Sequence, residues 1–130
     1  MTPPAASQPD ALTPHDFARL AAQVAVEKKA EGAIILDLRK LTSVCDYFVI
    51  VTGASEPQIK AIAEHVEEEL KPLGAAPWHV EGLENRRWVI LDYVDFVVHV
   101  FSKESRDNYV LERLWGDAPR EDVTVGRTGT

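Results

Sequence analysis

The sequence predicts an α/β fold, a mixed sheet with flanking helices, and three observations carry that prediction. The stretch from Arg87 to Phe101 is the most apolar, β-branched and aromatic in the chain, and a short gap flanked by Asp92 and Asp95 divides it into a β-hairpin. Ala33–Leu38 and Tyr47–Thr52 are short apolar runs bounded by polar or turn residues, the pattern of strands buried on both faces. Apolar residues recur at helical spacing in two capped segments, one before the first run and one after the second.

Residues 1–12 are small, polar and proline-bearing, without periodicity, and are expected to form a disordered lead into a single domain over residues 13–116. Thr13 offers an N-cap hydroxyl, Pro14 suits the first helical position and Asp16 the acidic third, so a helix begins here. Phe17, Leu20, Ala21, Val24 and Ala25 make its buried stripe, Lys28 and Lys29 suit the negative end of its dipole, and Gly32 is placed to close it.

The two strand runs follow, joined by a loop from Arg39 to Asp46. Ser55 and Gln58 match a capping box that opens a second helix. Its inward stripe is Ile59, Ile62, Ala63, Val66 and Leu70, with Lys60, Glu64, Glu67, Glu68 and Lys71 outward. Pro72 and Gly74 end it, Trp78–Glu81 reads as a short strand, and residues 82–86 connect to the hairpin.

A two-residue turn at Tyr93 and Val94 sets Trp88 opposite His99, Ile90 opposite Val97 and Asp92 opposite Asp95. Alternation then puts Trp88, Ile90, Val97, His99 and Phe101 on one face, and Val89, Leu91, Phe96, Val98 and Val100 on the other. Neither face is polar. The hairpin is therefore covered by helices on both sides, or covered on one and offered to a partner on the other.

Residues 102–115 read as a final helix whose apolar residues, Tyr109, Leu111, Leu114 and Trp115 among them, spread beyond one stripe. That spread makes them candidates for a homodimer contact. Gly116 stops the helix, and residues 117–130 are expected to be a disordered tail.

At 130 residues and 45% hydrophobic content the chain suits one domain with a real core. A net charge of −7 with scattered Lys and Arg argues against direct nucleic-acid recognition and suits a basic protein partner. No apolar run is long enough to span a membrane, and the first residues lack the basic and apolar regions of a secretory signal, so a cytoplasmic location is expected. Cys45 is the one cysteine, has no basic neighbour in sequence, and reads as a buried structural thiol.

Catalytic signals are thin. Thr52-Gly53-Ala54-Ser55, between a strand and a helix, is similar to a nucleotide-binding turn. Nucleotidyltransferases with such a turn also need paired carboxylates on the following strand to hold Mg²⁺, and Trp78–Glu81 has no such pair. A capped helix that needs a tight turn accounts for the same residues. Asp92 and Asp95 fit turn formers, and His79, Glu81 and His99 match no zinc motif. No catalytic residue, metal or cofactor is expected.

Asp46–Ser55, Val80–Gly82, Trp88–Tyr93, Val97–Phe101 and Leu111–Trp115, in that order, resemble the ribosomal silencing factor family, also called RsfS or Iojap-related, over residues 13–118. The resemblance implies a nucleotidyltransferase-like fold without the catalytic carboxylates, and no enzymatic activity. It also implies a protein that binds the large ribosomal subunit through its ribosomal protein fourteen. By occupying the face where the small subunit docks, such a protein represses translation when nutrients are short. Carried over by position, the binding surface includes Trp88, Tyr93 and Phe101, with Ile90, Val97 and His99 as neighbouring hairpin residues. Relatives usually carry glycine where this chain has Val94, a β-branched residue that tolerates positive φ poorly. Two other readings are a nucleotidyltransferase-like enzyme using Ser55 and Asp46, and a dimerisation module using the last helix.

Overall fold

The structure is a computed structural model that describes residues 12–109 and 111–124. Nearly all of the expected lead, residues 1–11, and the end of the expected tail, residues 125–130, lie outside the described residues.

Helix α1 (Pro14–Glu27) starts as the sequence predicts. The Asp16 N–H donates to Thr13 Oγ1 at 3.1 Å, and the Thr13 N–H donates to Asp16 Oδ2 at 2.9 Å, a complete capping box. It does not run to Gly32. The N–H groups of Lys28 and Ala30 return to the Ala25 carbonyl, that of Lys29 to Val26, and Lys29 takes φ 72° to turn the chain. Gly32 lies instead in β1 (Glu31–Asp37), at φ 57°, where the pairing with β2 (Tyr47–Gly53) slips between Glu31 and Ile34.

Helix α2 (Glu56–Leu70) follows, then a 3₁₀ turn over Lys71–Leu73 and strand β3 (His79–Glu81). The hairpin is β4 (Trp88–Asp92) and β5 (Phe96–Ser102). The segment expected to be one helix is α3 (Lys103–Tyr109) and α4 (Leu111–Leu114).

The mixed sheet runs β3-β4-β5-β2-β1-β6, with β2 and β5 parallel and every other pair antiparallel. On one face α1 and α2 bury Val49, Val51, Val89, Leu91, Val98 and Val100. On the other, Leu111 and Trp115 from the C-terminal segment pack on Ile34, Leu36, Ile50 and Phe101. The sheet is thus fully backed on one side and covered only in part on the other.

Strand β6 (Arg120–Asp122) corrects the expected tail, because residues 120–122 pair with β1 from Leu36 to Ile34. Without it, β1, whose Ile34, Ile35 and Leu36 are buried, would be an open edge. A three-residue strand reading Arg-Glu-Asp has no apolar alternation to announce it.

Candidate functional site

The hairpin turn holds Val94 and Asp95, one residue later than Tyr93 and Val94. The Tyr93 N–H donates to the Phe96 carbonyl at 2.9 Å, and the Val94 N–H donates to Asp92 Oδ1 at 2.8 Å. Trp88 therefore stands opposite Phe101, Ile90 opposite His99, and Asp92 opposite Val97. Moving the turn by one residue shifts each partner by two, an even step, so the side chains keep the faces assigned from the sequence.

Aromatic rings tie this second face together. The Trp88 ring stacks on Phe101 at 4.9 Å between centroids, and its indole N–H donates to His99 Nδ1 at 3.0 Å. Phe48 of β2 meets the His99 ring edge-on at 4.4 Å and Trp115 at 6.2 Å, linking the hairpin to the C-terminal segment. His99 Nε2 is buried and has no hydrogen-bond partner among the described residues. Burial pushes the His99 pKa down to about 3, so the ring is neutral near pH 7.

Three of the six expected contact residues, Trp88, Ile90 and Val97, are half-buried and reach the surface. The other three do not. Phe101 is buried in the cluster that includes Leu111 and Trp115, and His99 is buried among Phe48, Trp88 and Phe101. Tyr93 is on the opposite, helix-covered face, stacked on Phe96 at 4.6 Å, and burial pushes its phenol pKa up. Alternation already carries that signal, since Val89, Leu91 and Tyr93 share parity.

The expected dimer set is also redistributed. Leu111 and Trp115 pack on the chain's own sheet, which explains why the apolar residues spread beyond one stripe. Leu114 is 72% exposed, and the Tyr109 side chain lies outside the described residues.

The most exposed apolar side chains near the hairpin are ones the sequence reading did not single out as contacts. Trp78, just before β3, is 76% exposed, Val44 in the β1–β2 loop 82%, and Val94 at the turn 56%. With Cys45, Asp92 and Val97 they line a groove of about 310 Å³. The available signal was position, an apolar residue in a polar loop, after Pro77, or in an Asp-flanked turn. Asp46, Asp92 and Asp95 surround this end of the sheet, and none has an ion-pair partner among the described residues. Burial, with Asp92 and Asp46 nearby, pushes the Cys45 thiol up to about 11, so it is an inert thiol.

The nucleotide-binding reading loses its geometry. Ser55 Oγ accepts the Gln58 N–H at 3.2 Å, while Gln58 Oε1 accepts from the Ala54 N–H and its Nε2 donates to the carbonyls of Lys28 and Lys29, both at 3.1 Å. The Gln58 side chain thus reaches Ala54 and the end of α1, one residue beyond a strict capping box. Gly53 is required by close packing, since a Cβ there would come within 2.6 Å of Ile59. Ser55 and Asp46 lie beyond opposite ends of β2, a separation of roughly 20 Å for a seven-residue strand, too far to share one reacting group. His79 pairs with Glu81 at 2.7 Å on β3, His99 is buried on β5 beyond the intervening β4, and among the described residues no group of three or more His, Cys, Asp or Glu is placed to hold a metal.

A sequence model of the family described as "Ribosomal silencing factor during starvation" matches residues 11–129. The chain belongs to the ribosomal silencing factor family. It is 41% identical over 108 residues to the ribosomal silencing factor RsfS of Bacillus subtilis, covering 83% of this chain and 92% of that one. It is 39% identical over 112 residues to the protein of the same name from Halalkalibacterium halodurans, covering 86% and 96%. An X-ray structure of a Chromobacterium violaceum protein superposes with a TM-score of 0.78 at 33% identity, over 92% of this chain and all of that one. Among the described residues no helix is long and apolar enough to cross a membrane.

Proposed function

We propose that this family member is a non-enzymatic, cytoplasmic factor that binds the large ribosomal subunit through its ribosomal protein fourteen. Bound there, it bars the small subunit from docking and so represses translation under nutrient limitation. The observation that carries this reading is the apolar surface at the β3–β4–β5 end of the sheet. Trp78, Val44, Val94 and Val97 stand there beside Asp46, Asp92 and Asp95, which form no ion pair among the described residues, and half-buried Ile90 and Trp88 continue the apolar face along β4. Apolar anchors ringed by one sign of charge suit a partner protein that presents apolar and basic side chains together. A chain of net charge −7 does not suit the RNA that makes up much of a ribosome, which favours a protein as the direct contact.

Co-sedimentation with isolated subunits tests this. The protein is expected to pellet with large subunits and not with small ones, and to reduce the yield of joined ribosomes when both are mixed. Failure to pellet with large subunits, or pelleting without any effect on joining, overturns the proposal.

A further inference from the structure

Val94 carries two penalties that a turn tip does not require. Its φ of 76° lies in the left-handed region, where glycine is at ease and a β-branched side chain crowds its own backbone. Its isopropyl group is also more than half exposed, so burial within the chain offsets little of that strain. Among the described residues it is the only β-branched one at positive φ, the other non-glycine residues there being Lys29 and Arg86. Backbone strain that persists at a site tends to go with a role for that site.

The surroundings supply the role. Val94 lines the groove of about 310 Å³ together with Trp78, Val44 and Val97, enough space for a large apolar side chain. Asp92 lines the same groove, Asp95 follows Val94 in the turn, and Asp46 adjoins Cys45. None of these three carboxylates is neutralised by an ion pair within the described chain. An apolar slot rimmed by three carboxylates outside any ion pair among the described residues, with Arg39 near enough to act on Asp46, repels an acidic segment and attracts a basic one.

We propose that Val94 is the specificity-determining contact of this groove, and that the groove receives an apolar side chain from a Lys- or Arg-bearing segment of the large-subunit protein. The inference rests on the large-subunit reading and adds to it a defined slot, a ligand chemistry and a residue kept at the expense of stability. Val94→Gly relieves the backbone and removes the side chain, whereas Val94→Ala removes the side chain and keeps most of the constraint on φ.

The test measures thermal unfolding and affinity for salt-washed large subunits on the same preparations of wild type, Val94→Gly, Val94→Ala and Trp78→Ala. Val94→Gly is expected to raise Tm by several degrees yet weaken binding about tenfold, with binding also weakened in Val94→Ala without that gain in Tm. Trp78→Ala is expected to weaken binding at unchanged Tm. If wild type binds and all three variants bind equally well, the groove is not the contact and this inference falls while the large-subunit reading stands. If the variants change self-association but not large-subunit affinity, the occupant is a second copy of the chain and the inference is likewise overturned. If wild type itself does not bind, the large-subunit reading fails and the inference fails with it.

Discussion

The indole N–H of Trp88 donates to Nδ1 of His99 at 3.0 Å, a diagonal contact between β4 and β5. An acceptor at Nδ1 places the proton of the neutral ring on Nε2. The bond also makes Trp88 part of the chain's own aromatic cluster, so its truncation disturbs the fold as well as any surface it offers. Trp78 and Val94 are cleaner probes of binding because they are far more exposed.

Trp88→Phe keeps a ring over Phe101 but removes the donor, leaving His99 Nδ1 buried without its partner. An unsatisfied buried acceptor costs about 1–3 kcal/mol. The variant is expected to unfold at lower urea concentration with an unchanged denaturant slope, and an unshifted midpoint would show that the bond contributes nothing net.

Acidification is expected to destabilise the fold through His99. Its pKa is about 3 in the folded chain against an ordinary 6.5, because burial disfavours the imidazolium, so the unfolded chain takes up a proton that the folded chain refuses. The contribution is complete above pH 6.5 and declines as the pH falls toward 3, by about 1.4 kcal/mol per unit. A protonated ring would also turn Nδ1 into a donor facing the Trp88 donor. Unfolding free energy should fall between pH 6.5 and 5, and His99→Gln should flatten that fall. The window lies above the acid range in which Asp16 and Asp37 matter. Their carboxyls are held below 3.8, Asp16 by the Thr13 cap and Asp37 by Arg39, so their stabilisation is lost only below that value.

Residues whose role is local were legible in the sequence. Thr13 and Asp16 cap α1, Ser55 caps α2, and the alternation from Trp88 to Phe101 separates the two faces even though the turn sits one residue further on. What was hidden depends on distant chain. Nothing near Phe101 says that Leu111 and Trp115 return to cover it, and nothing in Arg120–Asp122 says that β1 needs a neighbour. On the proposed contact surface, Trp88 was carried over from the family resemblance and Ile90 and Val97 share its face by parity, which does not tell them from buried His99 and Phe101. The exposure of Trp78, Val44 and Val94 was not legible, because exposure in loops leaves no periodic trace.

Ser55→Ala separates the cap from the nucleotide site it resembles. The hydroxyl accepts the Gln58 N–H, so its loss is expected to lower stability by about 1 kcal/mol. Mg²⁺-dependent release of pyrophosphate from nucleoside triphosphates should be undetectable in wild type and variant alike. Turnover in wild type that Ser55→Ala abolishes would restore the enzymatic reading.

Two variants of the C-terminal segment distinguish main-chain pairing from surface charge as the source of β6's contribution. Glu121 accepts from Arg19 at 2.6 Å and pairs with His15 at 3.0 Å, but all three side chains are partly exposed, and ion pairs in such positions contribute at most about 1 kcal/mol. The backbone does more. The Asp37 N–H donates to the Pro119 carbonyl and the Val123 N–H to the Ala33 carbonyl, both at 2.9 Å, and between them β6 closes the edge of β1. Glu121→Ala is therefore expected to lower the unfolding free energy by less than about 1 kcal/mol and leave the solution size unchanged. Ending the chain after Ala118 removes the whole ladder and leaves the main chain of Ile34, Ile35 and Leu36 unpaired on one side. An apolar open edge is a template for another strand, so the shortened chain is expected to be markedly less stable and to associate with rising concentration, as light scattering would show. Equal losses in the two variants would mean that charge, and not strand pairing, holds the segment on β1.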